Sequence, residues 1–117
     1  MKNTNISSVQ SPSHNFTVGD FVQYTMVTDS VVLEVVRVSA KSIWIRRTKG
    51  GEILRSDNHD GNPYPVVYTE QVADEGGAVQ RLGLTKKGFF RIDRSFGRIY
   101  PAHTINGKPV RKVDYRM

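Results

Sequence analysis

The stretch "VVLEVVRVSAKSIWIRR", residues 31–47, decides how this chain folds. Its first eight residues are almost all β-branched or leucine, broken only by Glu34 and Arg37. Its last six alternate Ile43 and Ile45 against Trp44. β-Branched side chains are stiff at χ1 and suit a pleated strand. The polar "SAK" between the runs is short enough for a hairpin, so the two runs are expected to pair antiparallel.

The same grammar extends both ways. Upstream, "FTVGDFVQYTMV" reads as a Gly19-Asp20 turn followed by a strand, and "TDS" at 28–30 joins it to the valine-rich run. Downstream, the paired glycines of "TKGGE", residues 48–52, signal a further hairpin, after which "EILR" returns as a short strand. "YPVVYTE", residues 64–70, is another strand. Pro65 has no N–H for a ladder, so it should begin at an edge or a bulge, which leaves strand-edge dimerisation open. "ADEGGA" is a loop, and "VQRLGLT" and "GFFRI" are strands around the turn "KKG". Beyond Ile92 the pattern weakens. No window carries a capped stripe of apolar residues at helical spacing. The expected fold is all-β: a small SH3-like or partly open barrel of about six to eight short antiparallel strands. Its expected organisation is a loosely attached arm over residues 1–15, a barrel domain over 16–92 and a basic C-terminal extension over 93–117.

Composition narrows the function. The chain has 117 residues, room for one domain, and no cysteine, which excludes disulfides and thiolate metal sites. No apolar run reaches the roughly 20 residues of a membrane helix. The first fifteen residues lack the apolar core of a secretion signal. The chain therefore reads as a soluble cytoplasmic protein with no membrane partner. Its net charge of +6 is unevenly spread. Residues 1–80 hold 7 Lys+Arg against 9 Asp+Glu, a balance of −2, while residues 81–117 hold 10 against 2, a balance of +8. Such asymmetry suits a polyanionic partner.

Catalytic and metal motifs fail on inspection. "SDNHDGNPYP", from Ser56, resembles a calcium loop only superficially. With Gly61 at the sixth position, the twelfth is Val67 and the bidentate acid is missing. Turn chemistry explains its Asp, Asn, Gly and Pro residues. His14, His59 and His103 have no zinc-ligand spacing. There is no nucleophile elbow, P-loop or dinucleotide fingerprint. The carboxylate pairs Asp57/Asp60 and Asp74/Glu75 lie in hydrophilic loops. No catalytic residue, cofactor or metal site is expected.

Basic and aromatic residues interleave in "LTKKGFFRIDRSFGRIY", and this is the expected binding site. Arg81, Lys86, Lys87, Phe89, Arg91, Arg94 and Arg98 are its candidates. Basic side chains neutralise phosphates and exposed aromatic rings stack on bases. Strand alternation places Phe89 with Arg91 and Phe90 with Ile92, so Phe90 is the expected core residue. "IWIRRTK" offers a secondary contact through Trp44, Arg46, Arg47 and Lys49. Trp44 either anchors the core, the favoured place, or lies on an outer face near Arg46.

Residues 18–47 resemble SH3-like barrels of the KOW or Tudor type, which open on a Gly-Asp turn and carry a β-branched strand. The wider layout, with "VGD.VQYT..TDS", "DGNPYPVVYTE" and "RLGLTKKGFFRI", is similar to small accessory proteins of bacteriophages of actinobacteria. That resemblance implies phage origin more than an activity. The resulting expectation is a non-enzymatic phage accessory protein, acting in the host cytoplasm, that binds nucleic acid through its basic face. The alternatives are an inhibitor that docks the same face on an acidic host or defence protein, and a sponge for an anionic ligand.

Overall fold

A computed structural model describes residues 14–26, 29–57, 65–94 and 96–114. The described residues form an all-β, barrel-like fold of eight strands and no helix. In chain order these are β1 (Phe21–Met26), β2 (Asp29–Ser39), β3 (Ser42–Asp57), β4 (Val66–Ala73), β5 (Val79–Gly83), β6 (Tyr100–Pro101), β7 (Thr104–Ile105) and β8 (Lys108–Asp114). Their order in the sheet is β6-β1-β2-β3-β4-β8-β7, with β5 paired to β3, and every pairing is antiparallel.

β3 organises the sheet. Residues 42–47 pair with β2, and residues 42–46 pair with β5. Residues 48–57 pair with β4. β4 and β5 therefore follow one another along a single long strand, interrupted by the loop 74–78. "TKGGE" does not turn the chain, contrary to the hairpin expected there. Neither Gly50 nor Gly51 takes a positive φ. The pair instead marks a register shift between Gly50 and Ile53, a common use of strand glycine. A Cβ at Gly51 would lie 3.4 Å from the Glu70 carbonyl oxygen.

β2 buries both its faces. Ser30 and Val32 are buried on one side, Leu33 and Val35 on the other, as alternation requires. Leu33 and Val35 join Val22, Ile43, Ile45, Leu82, Phe90 and Ile99 in the main core. Val32, Val66 and Val110 are buried outside that cluster. A bulge between Val35 and Arg37 then resets the register, so that Arg37 faces Trp44 and Val38 faces Ile43.

The sheet curls into a half-barrel because β8, paired with β4, also reaches the start of β2. The Lys112 N–H donates to Ser30 Oγ at 2.8 Å, and Arg111 Nε donates to the Ser30 carbonyl at 3.1 Å. The Asp114 N–H donates to Asp29 Oδ1 at 2.9 Å. This placement corrects two expectations. The strand after Pro65 is not an edge, because β4 has β3 on one side and β8 on the other. Residues 93–114 are not an extension outside the barrel, since Ile99 is 4% exposed in the core and β8 belongs to the sheet. The sparse apolar residues of that segment hid its strands.

"GFFRI" also departs from the expected strand, because only the single bridge Arg91↔Arg98 pairs it. Of the expected N-terminal arm, residues 1–13 lie outside the described residues. His14 packs its ring on Phe90 at 5.0 Å. Residues 58–64 of the turn expected in "SDNHDGNPYP" likewise lie outside the described residues.

Gly97 ties the irregular segment together. Its φ is +79°, its carbonyl accepts the Ile92 N–H at 2.9 Å, and a Cβ there would overlap Ile92 Cγ2. Gly97→Ala is expected to cost roughly 2 kcal/mol or more through backbone strain and overpacking. Gly83→Ala, with open space around its Cβ position, serves as the control. Urea denaturation of both variants checks this; equal midpoints would refute it.

Candidate nucleic-acid interface

The segment 85–99 is laid out by one tight loop and one buried ring. The Gly88 N–H donates to the Thr85 carbonyl and the Thr85 N–H to the Phe89 carbonyl, each at 2.9 Å. Gly88 takes a φ of +91°, which suits glycine. Lys86 and Lys87 sit exposed on this loop. Phe90, 1% exposed, enters the core as expected. Its neighbours Phe89 and Arg91 remain only half-buried. The Ile99 N–H bonds the Phe90 carbonyl at 2.9 Å, bringing 98–100 alongside 89–91.

That pairing sets Arg91 directly opposite Arg98. The Arg98 guanidinium lies 4.3 Å from the Phe89 ring centroid and 5.2 Å from that of Tyr100. Arg91 lies over Phe89 at 5.5 Å. Each such cation–π contact contributes about 0.5–1 kcal/mol at an exposed site. Phe89 was expected to offer its ring to a base; here it holds two guanidiniums. An aromatic ring orients an arginine without using its N–H donors, which stay free for an anion.

Other basic residues are already committed. Arg46 Nη2 meets Glu34 Oε1 at 2.8 Å, and Arg55 pairs with Asp57 at 3.0 Å. Arg81 Nε donates to Ser42 Oγ at 3.1 Å. Among the described residues, no ion pair engages Arg81, Lys86, Lys87, Arg91, Arg94 or Arg98.

These six cations and Phe89 line three contiguous hollows. One of about 370 Å³ has Arg81, Arg91 and Arg94 on its walls. It shares Thr85 and Arg91 with a second of about 360 Å³, lined also by Lys86, Lys87 and Phe89. Phe89 is shared in turn with a groove of about 760 Å³ that includes Arg98. All seven main candidates therefore fall on one track.

The secondary candidates separate. Trp44 is not the core anchor that was favoured. It lies half-buried on the face opposite Ile43 and Ile45, with Arg37 at 4.4 Å and Arg81 at 5.9 Å. Register explains the ladder, since Arg37 on β2 and Arg81 on β5 flank Trp44 on β3. Arg81 joins this ladder to the track. Arg46 is taken by Glu34, while Arg47 and Lys49 are exposed on β3 away from the hollows.

Sequence reading missed Arg37, whose place beside Trp44 depends on the bulge. It also missed the groove wall made by His14 and Phe16. His14 donates from Nε2 to the Ser39 carbonyl at 2.7 Å and accepts the Phe16 N–H at Nδ1. Among the described residues, no three His, Asp or Glu side chains could hold a metal ion. None of their elements is a helix long and apolar enough to cross a membrane. No family model, curated protein or solved structure matches the chain.

Two arginines opposite one another in an antiparallel pair repel, at a cost of about 0.2–1 kcal/mol. Raising salt from roughly 50 to 200 mM screens that repulsion. The wild-type protein should gain more stability over this range than Arg91→Gln does, as read from urea midpoints. Identical salt dependence in the two proteins would show that the pair carries no strain.

Proposed function

We propose that this protein is a non-enzymatic nucleic-acid-binding protein whose track from Arg81 to Arg98 neutralises backbone phosphates. The observation that carries the reading is the run of six cations, none in an ion pair among the described residues, along three contiguous hollows whose linings hold only two carboxylates, Asp20 and Asp93. Repelling arginines held on aromatic rings cost stability when nothing is bound and are relieved by an anion. Phosphate contacts position a nucleic acid without reading its bases, so binding is salt-sensitive and weakly sequence-specific. The resemblance of residues 18–92 to actinobacteriophage proteins supports reading it as an accessory protein acting in the host cytoplasm.

A second reading has one observation in its favour. Tyr100, 48% exposed, lies 5.2 Å from the Arg98 guanidinium and would anchor an acidic protein surface.

The test is binding to fluorescent single- and double-stranded DNA and RNA at roughly 50 and 200 mM salt. The wild-type protein binds at the lower salt and loses affinity steeply at the higher. Replacing Lys86, Lys87, Arg91 and Arg94 together by Ala weakens binding and lowers the log–log salt slope on a single strand by roughly 3, at about 0.7 per phosphate contact. Arg46→Ala leaves that slope unchanged, because Glu34 already occupies Arg46. No binding at the lower salt would overturn the proposal and send the search to acidic proteins.

A further inference from the structure

We infer that the 760 Å³ groove at the Arg98 end of the track takes an unpaired base, so that the protein prefers single-stranded nucleic acid over duplex. This rests on the nucleic-acid reading and adds the class of strand. Sites for small organic ligands span about 300–1,000 Å³, and the groove falls within that range. Its lining combines two chemistries. Buried Val22, Phe90 and Ile99 are apolar, and half-buried Phe16 and Phe21 add aromatic area. Arg98, oriented by Phe89 and Tyr100, supplies the cation.

A flat heteroaromatic ring next to a phosphate matches that pairing. The one carboxylate in the lining is turned to its own loop. Asp20 accepts the Thr17 N–H at 2.9 Å and the Thr17 hydroxyl at 3.0 Å, so both its oxygens are engaged within the Gly19-Asp20 turn. The groove shares Phe89 with the hollow that carries Lys86, Lys87 and Arg91. A strand whose phosphates follow those cations therefore brings its next nucleotide to the groove. In a duplex that base is stacked and paired, and extracting it is costly. The groove rewards only a base already free.

The test compares a fluorescent 12-nucleotide strand of DNA, its RNA equivalent and the matching duplexes, at one low salt concentration. Single strands are expected to bind about ten-fold more tightly than duplex. Thr104→Trp, at an exposed position on the groove wall, fills the space. It should remove that advantage while leaving duplex affinity and its salt slope unchanged. A 2-aminopurine placed in the strand should change its fluorescence on binding wild type and not on binding Thr104→Trp. Phe16→Ala, which empties one wall instead of filling it, should also weaken single-strand binding selectively. Equal affinity for strand and duplex, or a Thr104→Trp variant that keeps the preference, would overturn the inference and leave the phosphate track standing. Absence of binding to every probe would overturn both.

Discussion

The structure depends on β3 running on as one strand through Gly50 and Gly51. One strand of 16 residues serves two sets of partners. Its first part forms the centre of a three-stranded section, β2–β3–β5, whose inner face carries Ile43 and Ile45 and whose outer face carries Trp44 and Arg46. Its second part leaves β2 behind and pairs with β4, which carries β8. A turn at Gly50-Gly51 would divide these two parts. Because the glycines extend as strand, with a shift in register, the two regions share a backbone. The track then follows from where β5 ends: Gly83 delivers the chain to the 85–89 loop, and Phe90 pins the far side of that loop in the core.

Much of this was legible in the sequence. The alternation in 31–47 reports β2 and β3 because period-two burial leaves a direct trace in residue type. The same trace placed Phe90 inside, while the interleaving of basic and aromatic residues picked out the seven candidates that line the hollows. Legibility failed where tertiary pairing overrides local preference. Gly-Gly favours a turn, yet β4 offers partners on both sides of the pair and strand wins. The 99–114 region has few consecutive apolar residues. Its order comes from hydrogen bonds to Ser30 and Asp29, more than 80 residues away, and no local pattern encodes them. Trp44 was misplaced for a different reason: its size argues for the core, but alternation with two buried isoleucines allows it only the other face.

The arginines show how identical side chains acquire different roles. Arg46 faces Glu34 and is neutralised; its Nε is buried with no hydrogen-bond partner among the described residues. Arg37 and Arg81 flank an indole. Arg91 and Arg98 rest on Phe89 and make no ion pair among the described residues. Composition gives all of them one charge, whereas the register of the strands decides which remain available to an anion. A basic tail by count thus becomes a directed surface by topology.

The contacts between β8 and Ser30 bear on the time the chain needs to fold. They join residues 81 and 82 positions apart, so the chain loses loop entropy before they return any energy. Local hairpins such as β1–β2 and the first part of β2–β3 have no such delay and can assemble early. The docking of β8 on β2 is therefore expected late, after the local hairpins. Contacts of that kind govern how fast a native protein opens rather than how fast it forms. On that expectation the Ser30 hydroxyl, a small polar group closing the half-barrel, would act chiefly as a brake on unfolding.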